Sequence, residues 1–224
     1  MFLSKVTLQR TAQATGELAK LMSNGAYSAH QLLWSLFRDK EEREFIFREE
    51  VGLGGRPDFF VLSTSMPTAD NTVLRVQTKQ FQPQLVSGQR LGFKLRVNPT
   101  VCITDSGGKS RRHDVLMHAK KQMAAGATQS STDLAMVMQQ AAHAWIADEQ
   151  RLKNWGVQLD ALPEMVSYTQ HKSKKITGQQ VQFSSVDFQG VLTINEPKAF
   201  LAQYIKGFGR AKALGCGLML VRPI

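Results

Sequence analysis

Cysteine is scarce in this chain of 224 residues, with only Cys102 and Cys216 present. Two thiols build neither a disulfide framework nor a Cys-rich zinc module, and they suit a reducing, cytoplasmic setting. Long apolar runs are missing too. No stretch approaches the roughly 18 residues of a membrane-spanning helix, so no membrane partner is expected. The first ten residues, Met1 to Arg10, carry Lys5 inside their apolar run and lack a small-residue cleavage site, so no secretory leader is expected. Familiar chemical signatures are absent as well: there is no Gly-Lys-Ser/Thr phosphate loop and no Gly-x-Ser-x-Gly elbow. His113 and His118 lie five apart, and His143 and His171 have no Cys or carboxylate at ligand spacing. No metal site and no cofactor are therefore expected, and any catalysis should be metal-free.

Acidic side chains are the other shortage. The chain has 18 Asp and Glu against 28 Lys and Arg, a net charge of +10. With 42% hydrophobic residues it can still bury a sizeable core, as one large domain or two of about 100 residues. The charge is unevenly spread. Residues 1–89 carry a net +1, 90–121 carry +6, 122–166 carry −3 and 167–224 carry +6. Clustered Lys and Arg are what a polyanion-binding face requires, because each neutralised phosphate releases condensed counterions. The alternative is a merely solubilising surface.

Period-two alternation over Leu3–Leu8 predicts a strand. A polar loop ending at Ser23-Asn24-Gly25 leads into a helix over Tyr27–Phe37, striped by Ala29, Leu32, Leu33 and Leu36. Strand-like runs follow at 45–47, 59–62 and 73–76, and the charged residues 39–44 and 49–50 read as solvated surface. Leu91 to Val97 alternates most cleanly, placing Lys94 and Arg96 on the face opposite the apolar one. Beyond it the pattern predicts a polar loop over 105–112, a small-residue stretch over 124–131 and one long helix over 133–154 closed by Gly156. Strands at 166–168, 181–183 and 188–194, a helix at 197–206 and a last strand at 218–221 complete the chain. Both halves can be written β-α-β-β-α-β, which predicts an α+β protein of two tandem ferredoxin-like (RRM-like) domains with antiparallel sheets, 1–88 and 89–224. The first domain's second helix is the weak element, since 68–71 is too short for one.

Three stretches could carry chemistry. The tail Gly207-Phe208-Gly209-Arg210-Ala211-Lys212-Ala213-Leu214-Gly215-Cys216-Gly217 combines exposed backbone with two cations, as a phosphate ligand requires. A helix cap and tight turn would explain Gly207 but not four glycines interleaved with Arg210 and Lys212. Tyr168 to Lys175, with Lys172, Lys174 and Lys175, reads as a basic hairpin able to enter a groove or as an exposed loop. Tyr27 and His30 are neighbours on one helix, where the histidine is either a structural residue at the core boundary or a general acid or base.

Taken together, Phe2 to Val6, Tyr27 to Phe37, Leu95 to Pro99, Phe188 to Asn195 and the Gly207 to Pro223 tail resemble the CasE type of CRISPR repeat-processing endoribonuclease, in the family's order and over nearly the whole chain. The resemblance implies two ferredoxin-like domains that bind the hairpin of a CRISPR repeat RNA. It implies cutting at the 3′ base of the stem to leave a 2′,3′-cyclic phosphate, with the enzyme staying on the guide RNA within the type I-E surveillance complex (Cascade). The family's Tyr-x-x-His falls on Tyr27 and His30, its Gly-rich loop on Gly207, Gly209, Gly215 and Gly217, and its basic hairpin on Lys172, Lys174 and Lys175. The other cations of the basic stretches, Lys94, Arg96, Lys109, Arg111, Arg112, Arg210 and Lys212, are further candidates for holding RNA.

The residue chemistry agrees with this implication. Attack by a ribose 2′-OH needs a base, an acid for the leaving 5′ oxygen, and charge stabilisation at the phosphoryl oxygens. His30 can be base or acid, Tyr27 can position the hydroxyl or donate, and Lys212 or Arg210 can stabilise charge. The aromatic-rich signature of single-strand readers is missing, which fits a structured stem read by shape and backbone. A non-catalytic RNA-binding subunit of the same superfamily is the alternative.

Overall fold

The computed structural model describes the chain apart from residues 38, 69–70, 105–106, 125–130 and 176, and the side chains of 124 and 131. The chain divides into two compact units. One comprises Met1–Gln84, Gln170–Phe183 and Tyr204–Leu218, the other Leu85–Thr169, Ser184–Gln203 and Met219–Ile224.

The first unit holds a four-stranded antiparallel sheet in the order β2-β3-β1-β4, built from β1 (Phe2–Leu8), β2 (Phe45–Val51), β3 (Pro57–Ser63) and β4 (Leu74–Gln80). In the centre of the sheet Val6 stands opposite Phe59 on one side and Val76 on the other. One helix, α1 (Ala12–Trp34), joins β1 to β2, and with it the strand order is that of a ferredoxin-like module. No helix occurs between β3 and β4 among the described residues, although 69–70, within the segment the sequence marked as too short for one, lie outside them.

The helix begins earlier than the sequence pattern predicts. Thr11 caps it, its Oγ1 accepting from the Ala14 N–H at 3.1 Å, and Ala14 and Leu21 extend the buried stripe towards Ala29, Leu32 and Leu33. The polar loop expected to end at 23–25 is instead helix, interrupted only by a break at Gly25 with φ 49° and ψ −128°, a conformation open only to glycine. The buried stripe meets Phe45, Phe47, Phe59 and Val61 of the sheet in one core. Truncating one of those phenylalanines to alanine typically costs about 3–5 kcal/mol.

The second unit is built on β5 (Arg90–Val97), β8 (Val157–Leu159), β10 (Gln180–Ile194) and β11 (Met219–Pro223), in the antiparallel order β11-β5-β10-β8, with β9 (Glu164–Lys174) also paired to β10. Leu91, Phe93, Leu95 and Val97 are buried as their alternation predicts. The runs at 181–183 and 188–194 form one continuous strand, through buried Ser184 and Ser185. The helices of this unit are α2 (Val115–Ala124), α3 (Ser131–Ile146), α4 (Glu149–Trp155) and α5 (Pro197–Lys206), whose last turn belongs to the first unit. The expected long helix over 133–154 is two helices. Asp148 interrupts it as the cap of α4, accepting from the Arg151 N–H at 2.8 Å, and Gly156 closes α4 as expected. The expected polar loop at 105–112 is largely a hairpin of β6 (Thr100–Thr104) and β7 (Ser110–Asp114), although 105–106 lie outside the described residues, as does most of the small-residue stretch.

Candidate active site

His30 follows the Gly25 break on α1, one helical turn beyond Tyr27, and both side chains are half-buried. Its ring lies against Phe45 with centroids 6.0 Å apart and meets the edge of Trp34 at 5.5 Å. Phe37 stacks on the same Phe45 at 4.8 Å, so an aromatic wall fixes the imidazole. Nδ1 of His30 is buried without a hydrogen-bond partner. Burial, and secondarily the charge of Arg43, holds the His30 pKa below its ordinary value, so the ring is neutral at pH 7.

The Gly-rich tail closes on the same sheet. After α5 the Phe208 N–H donates to the Gly217 carbonyl at 2.9 Å, pinching residues 208–217 into a loop. A Cβ at Gly217 would lie 2.7 Å from the Phe208 carbonyl oxygen, at a φ of 90° that side chains rarely adopt. One at Gly207 would lie 2.9 Å from Ile46 Cδ1, and one at Gly215 3.3 Å from the Phe47 ring. Packing against β2 and self-closure thus account for these three glycines, a reason the sequence alone could not supply. The 212–214 turn rests on α1 and β2. The Lys212 stem passes between Gly207 and Gly217. Burial first, then the charges of Arg43, Arg210 and Lys206, lowers the Lys212 pKa. Four cations therefore share one field around Lys212, and one of them, Arg43, also acts on the neutral histidine.

Two of these cations were not among the expected site residues. Lys206 ends α5 and carries no pattern that marks it out. Arg43 lies in the charged run 39–44 read as solvated surface, yet burial lowers its own pKa and its Nη1 is buried with no partner. The only local signal was its place two residues before the apolar run Phe45-Ile46-Phe47.

The basic hairpin forms between β9 and β10, and its end, Gln170–Phe183, belongs to the first unit. Lys172 and Lys174 are exposed, whereas Lys175 is half-buried and donates to Gln179 Oε1 at 3.0 Å. His171 stacks flat on Phe183 across the pair, centroids 4.5 Å apart. The hairpin is clasped by Asn24, which exchanges two hydrogen bonds with the Lys174 backbone while its own carbonyl accepts from Ser173 Oγ at 3.0 Å. Tyr27, His30, Lys172, Lys174, Lys175 and the Gly-rich loop thus fall in one unit.

Lys94, Arg96, Lys109, Arg111 and Arg112 belong to the other. Lys94, Lys109, Arg111 and Arg112 are exposed. Arg96 differs from expectation: its guanidinium grips Asp187 on the neighbouring strand, Nε–Oδ1 3.0 Å and Nη2–Oδ2 2.9 Å, so its charge is compensated. Among the described residues no three His, Cys, Asp or Glu side chains gather as a metal site would require, and no helix is long and apolar enough to cross a membrane.

Fold and site together define an α+β protein of two ferredoxin-like modules, with a histidine and a cationic loop joined in one of them. The chain belongs to the CRISPR-associated protein family, whose profile matches residues 1–223. It is 28% identical to the CRISPR system Cascade subunit CasE of Escherichia coli K12 and 27% identical to the CRISPR-associated endoribonuclease Cse3 of Thermus thermophilus, each over the full length of both chains. Among solved structures it resembles CRISPR endoribonuclease Cse3 bound to a 19-nucleotide RNA, with a TM-score of 0.70 at 25% identity. It also resembles Cas6e from Escherichia coli K-12, with a TM-score of 0.65 at 26% identity, both matches covering all of each chain.

Proposed function

We propose that this protein is a metal-independent endoribonuclease that binds the hairpin of a CRISPR repeat in precursor RNA and cuts at the 3′ base of the stem. It then stays on the mature guide RNA as a subunit of the cytoplasmic type I-E surveillance complex. The observation that carries this reading is a half-buried histidine, held neutral by burial and the charge of Arg43, in the same unit as the loop whose Lys212 shares the charge of Arg43, Arg210 and Lys206. Full-length relatives named endoribonuclease and Cascade subunit support it.

The ribose 2′-OH attacks the adjacent phosphorus and the 5′ oxygen leaves, giving a 2′,3′-cyclic phosphate and a 5′ hydroxyl. His30, uncharged at neutral pH, takes the hydroxyl proton through Nε2, since Nδ1 is buried. Tyr27, a turn away, positions the hydroxyl or donates a proton, while Lys212 and Arg210 offset charge on the phosphoryl oxygens. Lys172, Lys174 and Lys175 hold the stem through its backbone, with Lys94, Lys109, Arg111 and Arg112 adding phosphate contacts. Residues 1–88 form the catalytic N-terminal domain and 89–224 the C-terminal RNA-holding one, whose hairpin end and Gly-rich loop complete the first unit.

The test is cleavage of a repeat hairpin by wild type and His30→Ala in excess EDTA, with a second hairpin carrying 2′-deoxyribose 5′ of the scissile phosphate. Wild type should cut the ribose substrate only, and His30→Ala should cut neither while binding both. Equal cleavage by both proteins removes His30 from the mechanism. Absence of cleavage by wild type leaves an RNA-binding subunit.

A further inference from the structure

We propose that Arg43 is a further catalytic residue of this site, its guanidinium contacting the non-bridging oxygens of the phosphate that is cut. The proposal rests on the endoribonuclease reading above. Arg43 lies two residues before Phe45, whose ring backs His30 at 6.0 Å. The next two residues, Ile46 and Phe47, are the side chains on which Gly207 and Gly215 close. The start of β2 thus touches the histidine through Phe45 and the cationic loop through Ile46 and Phe47, and the charge of Arg43, two residues before it, acts on both.

No described side chain answers its charge. Nη1 is buried without a hydrogen-bond partner, and Arg43 forms no ion pair among the described residues. The adjacent Glu44 is engaged elsewhere, by Ser65, Lys40 and Thr64. A partly buried, unpaired guanidinium costs stability unless an anion arrives to meet it. Its charge is felt at both His30 and Lys212.

The phosphodiester is the anion this geometry suits. As the 2′-O–P bond forms and the P–5′-O bond breaks, the 2′ proton passes to the base and the 5′ oxygen takes a proton from the acid, so the step balances without oxidant or cofactor. In between, a second negative charge develops on the non-bridging oxygens. A planar guanidinium meets two such oxygens at once, which a lysine does not.

The experiment measures single-turnover cleavage of a repeat hairpin, and binding of its 2′-deoxy form, for wild type, Arg43→Ala and Arg43→Lys. Arg43→Ala should lower the saturating rate roughly 10²–10³-fold, the loss typical of one transition-state donor, while Kd changes only a few-fold. Arg43→Lys should recover part of the rate. The acidic limb of the pH–rate profile should also move to higher pH in Arg43→Ala, because a charge that depresses His30 has been removed. A wild-type rate in Arg43→Ala, or a loss confined to Kd, overturns the proposal. If Arg43→Ala melts below assay temperature, Arg43→Lys decides, full activity at unchanged Kd counting against the guanidinium. Wild type that binds without cutting refutes the nuclease reading and this role together, a pattern distinct from failure of Arg43 alone.

Discussion

Asn24 holds the backbone of Lys174 at both of its polar groups: its Nδ2 donates to the Lys174 carbonyl at 2.8 Å and its Oδ1 accepts from the Lys174 N–H at 2.7 Å. The residues are 150 positions apart, and the pairing imitates one rung of a β-ladder. Asn24 immediately precedes the break in the helix at Gly25. The arrangement ties the basic hairpin to the helix that carries Tyr27 and His30.

Asn24→Ala should therefore loosen the hairpin and leave the core intact. Each bond removed is worth about 0.5–1.5 kcal/mol, partly replaced by water at this exposed site. Amide exchange at Lys174 should accelerate and hairpin RNA binding weaken, with little change in Tm. Unaltered exchange at Lys174 would show that the clasp is not formed in solution.

Replacing Lys172, Lys174 and Lys175 together by alanine should flatten the dependence of log K on log salt. Every phosphate of a helical stem that a lysine no longer neutralises takes about 0.9 off the slope. An unchanged slope returns the hairpin to the role of a soluble loop.

His30 sets the sign of one pH effect on stability. Its folded pKa is below the ordinary value of 6.5, so between the two values the unfolded chain binds more protons. Its contribution is complete above 6.5 and is lost as pH falls through the folded pKa. Urea unfolding should give lower stability at about pH 5 than at neutral pH, and the difference should shrink in His30→Gln. Equal pH dependence in the two proteins contradicts the assignment.

Two glycines at positive φ offer a comparison. Gly217→Ala combines strain with a 2.7 Å approach to a carbonyl oxygen, whereas Gly178→Ala at φ 85° meets nothing within 4 Å. Strain alone costs about 1–3 kcal/mol, and the clash adds to it. Thermal melts should rank Gly217→Ala well below Gly178→Ala. Equal melting would mean that the loop opens freely.

Much of this protein is legible without coordinates because its signals are local. Alternation along residues 91–97, the stripe from Ala29 to Leu36 and the spacing of Tyr27 and His30 depend on near neighbours in the chain, and the glycines and cations of 207–217 are contiguous. Those features predicted two antiparallel ferredoxin-like modules and left His30 either structural or catalytic, and it was the family resemblance that implied a histidine-centred RNA site. The tertiary structure decided what depends on long-range closure. It broke α1 at Gly25, brought Asn24 to a strand 150 residues away, and paired Arg96 with Asp187 across 91 residues. It also drew Arg43 out of a run of surface charge into the field of His30 and Lys212. A side chain's periodicity reveals which face it occupies, but its charge acquires a role only from what folding places opposite it. For Arg43 the fold supplies three more cations and, among the described residues, no carboxylate partner, a setting suited to phosphate.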